Sequence, residues 1–178
     1  FPIPSSVKNE LDAVTGKMKD VELTQAEEVA LGQEISARVR ARYGVVQDPE
    51  IHKYVSLVGS VLTRQTSQTG IAWHFIVLDT DGVNAFAAPG GVVHLTRGAL
   101  ALMKSEAELA GVLSHELAHV TLKHTIRAIQ KNKLVQMGVN NTSVKSNPEL
   151  FKRLVDEGER VVMSGFGRSE ELEADGEG

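Results

Sequence analysis

At 178 residues the chain is long enough for one domain to bury most of its apolar surface, and 42% hydrophobic with 24% charged residues is the balance of a globular protein. A net charge of −4 without a basic stripe argues against nucleic acid as a partner, and zero cysteines exclude disulfides and a thiolate zinc site while leaving the redox compartment open. No apolar run approaches the roughly 20 residues of a membrane span, and the opening Phe1-Pro2-Ile3-Pro4-Ser5-Ser6 lacks the pattern of a signal peptide, so a soluble form is expected.

Residues 1–22 mix Pro, Ser, Lys and Asp with scattered apolar positions and read as an arm on a single domain spanning 1–178. Thr24 with Glu27 forms a capping box, and Val29, Leu31, Ile35 and Val39 give a long amphipathic helix ending before Gly44. Asp48-Pro49 opens a second helix whose buried stripe is Ile51, Val55, Val58 and Leu62. Ile71 to Leu78 reads as a strand, Asp79-Thr80-Asp81-Gly82 as a turn, and Asn84–Ala88 with Val92–Thr96 as a pair of short strands flanking Pro89-Gly90-Gly91. Ser105 and Glu108 form a second capping box at the head of a helix that runs through 115–119. A polar loop is predicted over 131–147 and a helix from Asn147-Pro148 to about Met163. A loop at Gly165-Phe166-Gly167 follows, then a last acidic helix capped by Ser169.

Residues 115–119 read His115-Glu116-Leu117-Ala118-His119. On a helix the two imidazoles share one face a turn apart, so two nitrogens can converge on one zinc ion at about 2.0–2.1 Å. Glu116 then faces the open coordination position and can take a proton from zinc-bound water, whose acidity the metal has raised. Plain burial of two histidines and a glutamate on an apolar helix would be costly, whereas a metal satisfies them. The pattern is a zinc-protease signature.

A catalytic zinc takes three protein ligands, so one more donor is needed. A third histidine six residues after His119 would suit one scheme, but position 125 is Thr125. His124 is one residue short and, on a continuing helix, would point roughly 140° away from His119, as a surface histidine. A glutamate from a second helix is the other scheme. Glu171 is the best candidate because Asp175, one turn later, could hold the outer N–H of a ligand histidine. Glu173 is the reserve; it lies about 200° around the helix, so it and Glu171 cannot both face the metal.

His115 to His119, the stretch Glu171-Leu172-Glu173-Ala174-Asp175 and Asn84-Ala85-Phe86-Ala87-Ala88-Pro89-Gly90-Gly91 together resemble metallopeptidase family forty-eight. These are the gluzincins of the CaaX prenyl protease, HtpX and Oma type, and the chain looks closest to their soluble bacterial-envelope branch. The resemblance implies a zincin-like α+β fold, mostly helical, with a small mixed sheet beside the active-site helix. It implies one zinc ion on His115, His119 and Glu171, with Glu116 as general base and Asp175 behind the ligands. A periplasmic or envelope location, a protein or peptide substrate and peripheral contact with a membrane also follow from it. The family usually continues with Arg and a further helix after Ala174-Asp175, where this chain has Gly176-Glu177-Gly178, which reads as truncation.

A zinc protease commonly holds its substrate extended against a strand edge. Residues 84–96 are the expected edge, with Asn84, Ala85, Phe86, Ala87, Gly90 and Gly91 as substrate-side residues and the glycines letting the backbone approach the cleft. Val93→Pro should deny such an edge a hydrogen bond. His94 is either an oxyanion stabiliser or a partly buried, hydrogen-bonded strand histidine. The expected reaction is peptide-bond hydrolysis in misfolded or envelope proteins. The alternative is a latent or non-proteolytic zinc-containing assembly factor, which a fourth ligand such as His124 or Glu173 closing the site would favour.

Overall fold

The computed structural model describes residues 23–66, 70–131, 144 and 147–177. The predicted arm over 1–22 and most of the predicted loop over 131–147 lie outside the described residues. Helix α1 spans Gln25–Tyr43 and begins at the predicted box: the Glu27 amide donates to Thr24 Oγ1, and Glu27 Oε2 accepts from the Thr24 amide at 2.9 Å. Helix α2, Pro49–Thr63, begins at Asp48, whose carboxylate accepts from the amides of Glu50 and Ile51.

Three strands follow: β1 His74–Leu78, β2 Ala85–Ala88 and β3 Val92–Thr96. The predicted strand from Ile71 starts later, because its partner β3 begins at Val92, opposite His74. The order is β1-β3-β2, with β1 parallel and β2 antiparallel to β3. This corrects the expected substrate edge. β3 is the buried central strand and, within residues 84–96, only β2 lies at an edge, so Val93→Pro would break the sheet and not probe its rim.

The Pro89–Gly91 turn also has a different purpose from the one its glycines suggest. Gly90 and Gly91 take φ of 76° and 99°, as a tight turn asks, yet Gly90 closes on α1 and Gly91 on Ile71 and Ala72 ahead of β1. A Cβ on Gly90 would lie 2.7 Å from Val29 Cα, and one on Gly32 would lie 1.7 Å from the Pro89 carbonyl oxygen.

Alternation along the strands divides the core. Val77, Ala87, Val93 and Leu95 pack with Val55 of α2 and with Leu109, Leu113 and Leu117. Leu78, Phe86, Ala88 and Val92 pack on the opposite side with Leu31 and Ile35 of α1 and with Ile129 and Leu154. A short helix α3, Arg97–Leu102, follows β3 directly and was not expected from the sequence. Helix α4, Glu106–Thr121, carries the motif, and each of its three buried leucines contributes roughly 1.5–3 kcal/mol to holding it on the sheet. Ser105 caps it by accepting from the Glu108 amide at 3.2 Å, but Glu108 reaches back to the Lys104 amide instead of completing the box on Ser105.

Helix α4 stops at Leu122, Lys123 takes a left-handed φ of 56°, and α5 starts anew at His124, running to Lys131. Helix α6, Pro148–Ser164, begins at Asn147 as expected. Helix α7, Arg168–Glu177, packs against α4. Ser169 lies inside it and its hydroxyl donates to Glu170, so it is not the predicted cap; the first turn closes from the Glu171 amide to the Gly167 carbonyl. Among the described residues no helix is long and apolar enough to cross a membrane.

Candidate metal centre

The rigid turn between His115 and His119 brings their Nε2 atoms to 3.0 Å. From α7, Glu171 Oε2 lies 3.0 Å from His115 Nε2 and 3.6 Å from His119 Nε2. These donor atoms all lie within 4.8 Å of one another, and no other such group of histidines and carboxylates occurs among the described residues. The second oxygen of Glu171 accepts from the Phe166 amide at 3.3 Å, which fixes the carboxylate. Two imidazole nitrogens and one carboxylate oxygen converging from rigid helices are a donor set that fits a single zinc ion with a coordination position left for water. His119 forms the buried wall at 3% exposure, while His115 and Glu171 are partly open to solvent.

The outer nitrogens of the two rings are held differently. His115 Nδ1 lies 2.9 Å from Asp175 Oδ1, the partner its position one turn after Glu171 implied. His119 Nδ1 has a second histidine instead, with His124 Nδ1 at 2.7 Å. His124 Nε2 lies 3.1 Å from Glu173 Oε2, which also accepts from Arg127 Nη1 at 3.0 Å. The expectation of a surface His124 is therefore wrong: the residue is completely buried. It assumed a continuing helix, and the break at Lys123 turns the side chain under His119. Glu173, the reserve ligand, turns away from the metal site as its position on the helix required. The Phe166 ring, which carries no motif signal, stacks on His119 with ring centroids 4.3 Å apart.

Glu116 is buried, and that burial pushes its carboxyl up to about 7, with the Glu171 charge adding to the effect and His115 opposing it. Burial, then the neighbouring His115 charge, lowers His119 to about 4, so the ring is neutral and has a lone pair to offer. The hydrogen bond to His124, assisted by Arg127, holds the Glu173 carboxyl below its ordinary range. His94 cannot stabilise an oxyanion here. It is completely buried, bonded through Nε2 to Ser36 Oγ at 2.9 Å and stacked on Phe86, beneath the face of the sheet turned away from α4.

Of the expected substrate-side residues, Asn84 is exposed, Ala85 and Gly90 are half-buried, and Phe86, Ala87 and Gly91 are buried. Ala87 and Gly90 line a small crevice together with His119 and Val120, so the end of β2 and its turn abut the motif helix.

Two histidines a turn apart on one helix, a glutamate from a second helix packed on it and a small mixed sheet alongside make a zincin-like α+β fold, the architecture of a metallopeptidase. The chain belongs to peptidase family M48, whose model matches residues 47–178. It is 33% identical over 105 residues to the beta-barrel assembly-enhancing protease of Yersinia pestis, covering 59% of this chain and 22% of that protein. Over 153 residues it is 31% identical to the mitochondrial metalloendopeptidase OMA1 of Schizosaccharomyces pombe, covering 83% and 44%. The metalloprotease YcaL of Escherichia coli is 29% identical over 109 residues, covering 60% and 42%. The match thus spans less than half the length of each relative.

Proposed function

We propose that this protein is a zinc-dependent endopeptidase in which His115, His119 and Glu171 hold the metal and Glu116 is the general base. The observation that carries the reading is the convergence of His115 Nε2, His119 Nε2 and Glu171 Oε2 beside a buried glutamate one residue along the same helix. Zinc bound there would supply a Lewis acid that polarises the scissile carbonyl and makes a water more acidic. Glu116 takes a proton from the attacking water at its carboxylate and passes it to the leaving amine, two tasks suited by a carboxyl that burial has made more basic. Asp175 orients His115.

The substrate lies along β2. The Thr96 amide donates to the Asn84 carbonyl, so by antiparallel alternation Ala85 and Ala87 direct their N–H and C=O groups away from β3, toward a bound chain. Exposed Asn84 and half-buried Gly90, which lines the crevice beside His119, border that rim. The substrates are proteins of the bacterial envelope, a reading supported by the name of the Yersinia relative, and a peripheral contact with the membrane surface goes with that location. The rival reading, a closed zinc site in an assembly factor, needs a fourth ligand. Its two candidates, His124 and Glu173, are bonded to each other behind the His119 ring, which speaks against it.

The test is elemental analysis for zinc on wild type and Glu116→Gln, together with casein cleavage with and without a chelator. The expected result is one zinc in both proteins and chelator-sensitive cleavage that falls by about 10²–10⁴ in the variant. Wild type without zinc would refute the reading, and zinc without cleavage would restore the assembly factor.

A further inference from the structure

We infer that His124 and Glu173 are positioning residues that fix the tautomer and orientation of the metal ligand His119, a part that neither the motif nor the family match assigns. The inference rests on the zinc reading of His115, His119 and Glu171. A histidine that offers Nε2 to a metal carries its hydrogen on Nδ1, and that N–H must go to an acceptor. Around His119 the acceptor is His124 Nδ1, 2.7 Å away. Two nitrogens at that separation share one hydrogen, so His124 accepts at Nδ1 and carries its own hydrogen on Nε2. That nitrogen lies 3.1 Å from Glu173 Oε2, a carboxylate anchored a second time by Arg127 at 3.0 Å. Each link has a single consistent direction, from His119 through His124 to Glu173. The opposite direction would put the hydrogen on His119 Nε2 and leave no lone pair facing Glu171 and His115.

The two ligand histidines are therefore supported by unlike means. Asp175 behind His115 is 67% exposed, and water can replace it. His124 is 0% exposed, so removing it leaves a buried N–H with nothing to accept it. Helix α7 supplies both supports, and its alternate positions Glu171, Glu173 and Asp175 each engage a histidine. The turn at Lys123 is what allows this, since a helix continuing past Thr121 would carry His124 away from the ring it supports.

The experiment measures zinc dissociation constants by chelator competition on the full chain. His124→Leu should bind zinc about 10–100-fold more weakly than wild type. Asn at this position keeps an acceptor oxygen near the place of Nδ1, so His124→Asn should stay within a few-fold of wild type, about 3-fold at most given the retained hydrogen bond. The Co(II)-substituted proteins should follow the same order, with a shifted visible absorption band in the Leu variant alone. Adding Glu173→Ala to His124→Leu should weaken binding no further, because the two act through one path. Equal affinity of wild type and the Leu variant would overturn the inference, as would an Asn variant as weak as Leu with the same metal-free melting temperature. If His124→Leu does not fold, unchanged zinc affinity in Glu173→Ala overturns it. Absence of zinc from wild type would instead strike the function on which it stands.

Discussion

Burial gives the histidines of this chain opposite tasks. His119 is kept neutral beside a carboxylate so that its lone pair is available, whereas His94 is kept neutral because burial outweighs the one backbone group, at Phe86, that favours its charge. Desolvation, with Arg40 adding to it, lowers His94 from 6.5 to about 4. Between those values the unfolded chain binds a proton that the folded chain refuses. The stability owed to neutral His94 is therefore complete above pH 6.5 and is lost as the pH falls toward 4, a change of about 3 kcal/mol. Glu116 has the opposite sign, because its raised value favours the folded state at low pH and that advantage disappears as the pH rises through 7. Comparison with a variant isolates the first effect. His94→Gln keeps a partner for Ser36 but does not titrate, so urea unfolding of metal-free protein should show the gap between wild type and variant changing by about 3 kcal/mol from pH 7 to pH 4. A gap independent of pH would contradict this account of His94.

Among the elements, β2 and β3 differ in what a proline would do. Ala85→Pro removes an outward N–H from the edge and leaves the ladder to β3 intact, so peptide KM should rise by about 5-fold with little change in melting temperature. Val93→Pro sits in the central strand and should fail to fold, as loss of the melting transition would report. Where α1 crosses the turn, Gly32→Ala should lower stability by about 1–3 kcal/mol in urea unfolding, since its Cβ would lie 1.7 Å from the Pro89 oxygen. The parts of this fold that were readable in the sequence are local in their chemistry. Thr24 with Glu27, Asp48-Pro49, Asn147-Pro148 and the turn at Pro89 depend on groups a few residues apart. The spacing from His115 to His119 and from Glu171 to Asp175 is local too, and the structure brings these residues together. The strand order and the burial of His124 were not readable, because each depends on packing between distant segments, whereas the short helix at Arg97 starts from a local cap that went unread, the Thr96 hydroxyl accepting from the Ala99 amide. Lys123 shows why: lysine gives no warning of a left-handed turn, and the break is stabilised from afar, where its ammonium donates to Glu28 of α1 at 2.6 Å.

For the whole molecule, the weakly buried element is α7. Ala174 is its buried residue and Leu172 is 61% exposed, so hydrophobic contact does little to hold it. Its attachment runs through Glu171, Glu173 and Asp175 to three histidines, and through Glu170 to Lys131. Zinc at about one hundred times its dissociation constant would add about 2.7 kcal/mol to stability. Treatment with a chelator should then raise amide hydrogen exchange over residues 168–177 while leaving β3 protected; equal protection of α7 with and without metal would show that it docks unaided. A helix fastened by acids on histidines behaves as a clasp rather than a wall. Because the three acids share one short helix, a single loosening event would take Glu171 out of the ring of donors and strip His115 and His124 of their partners at the same moment.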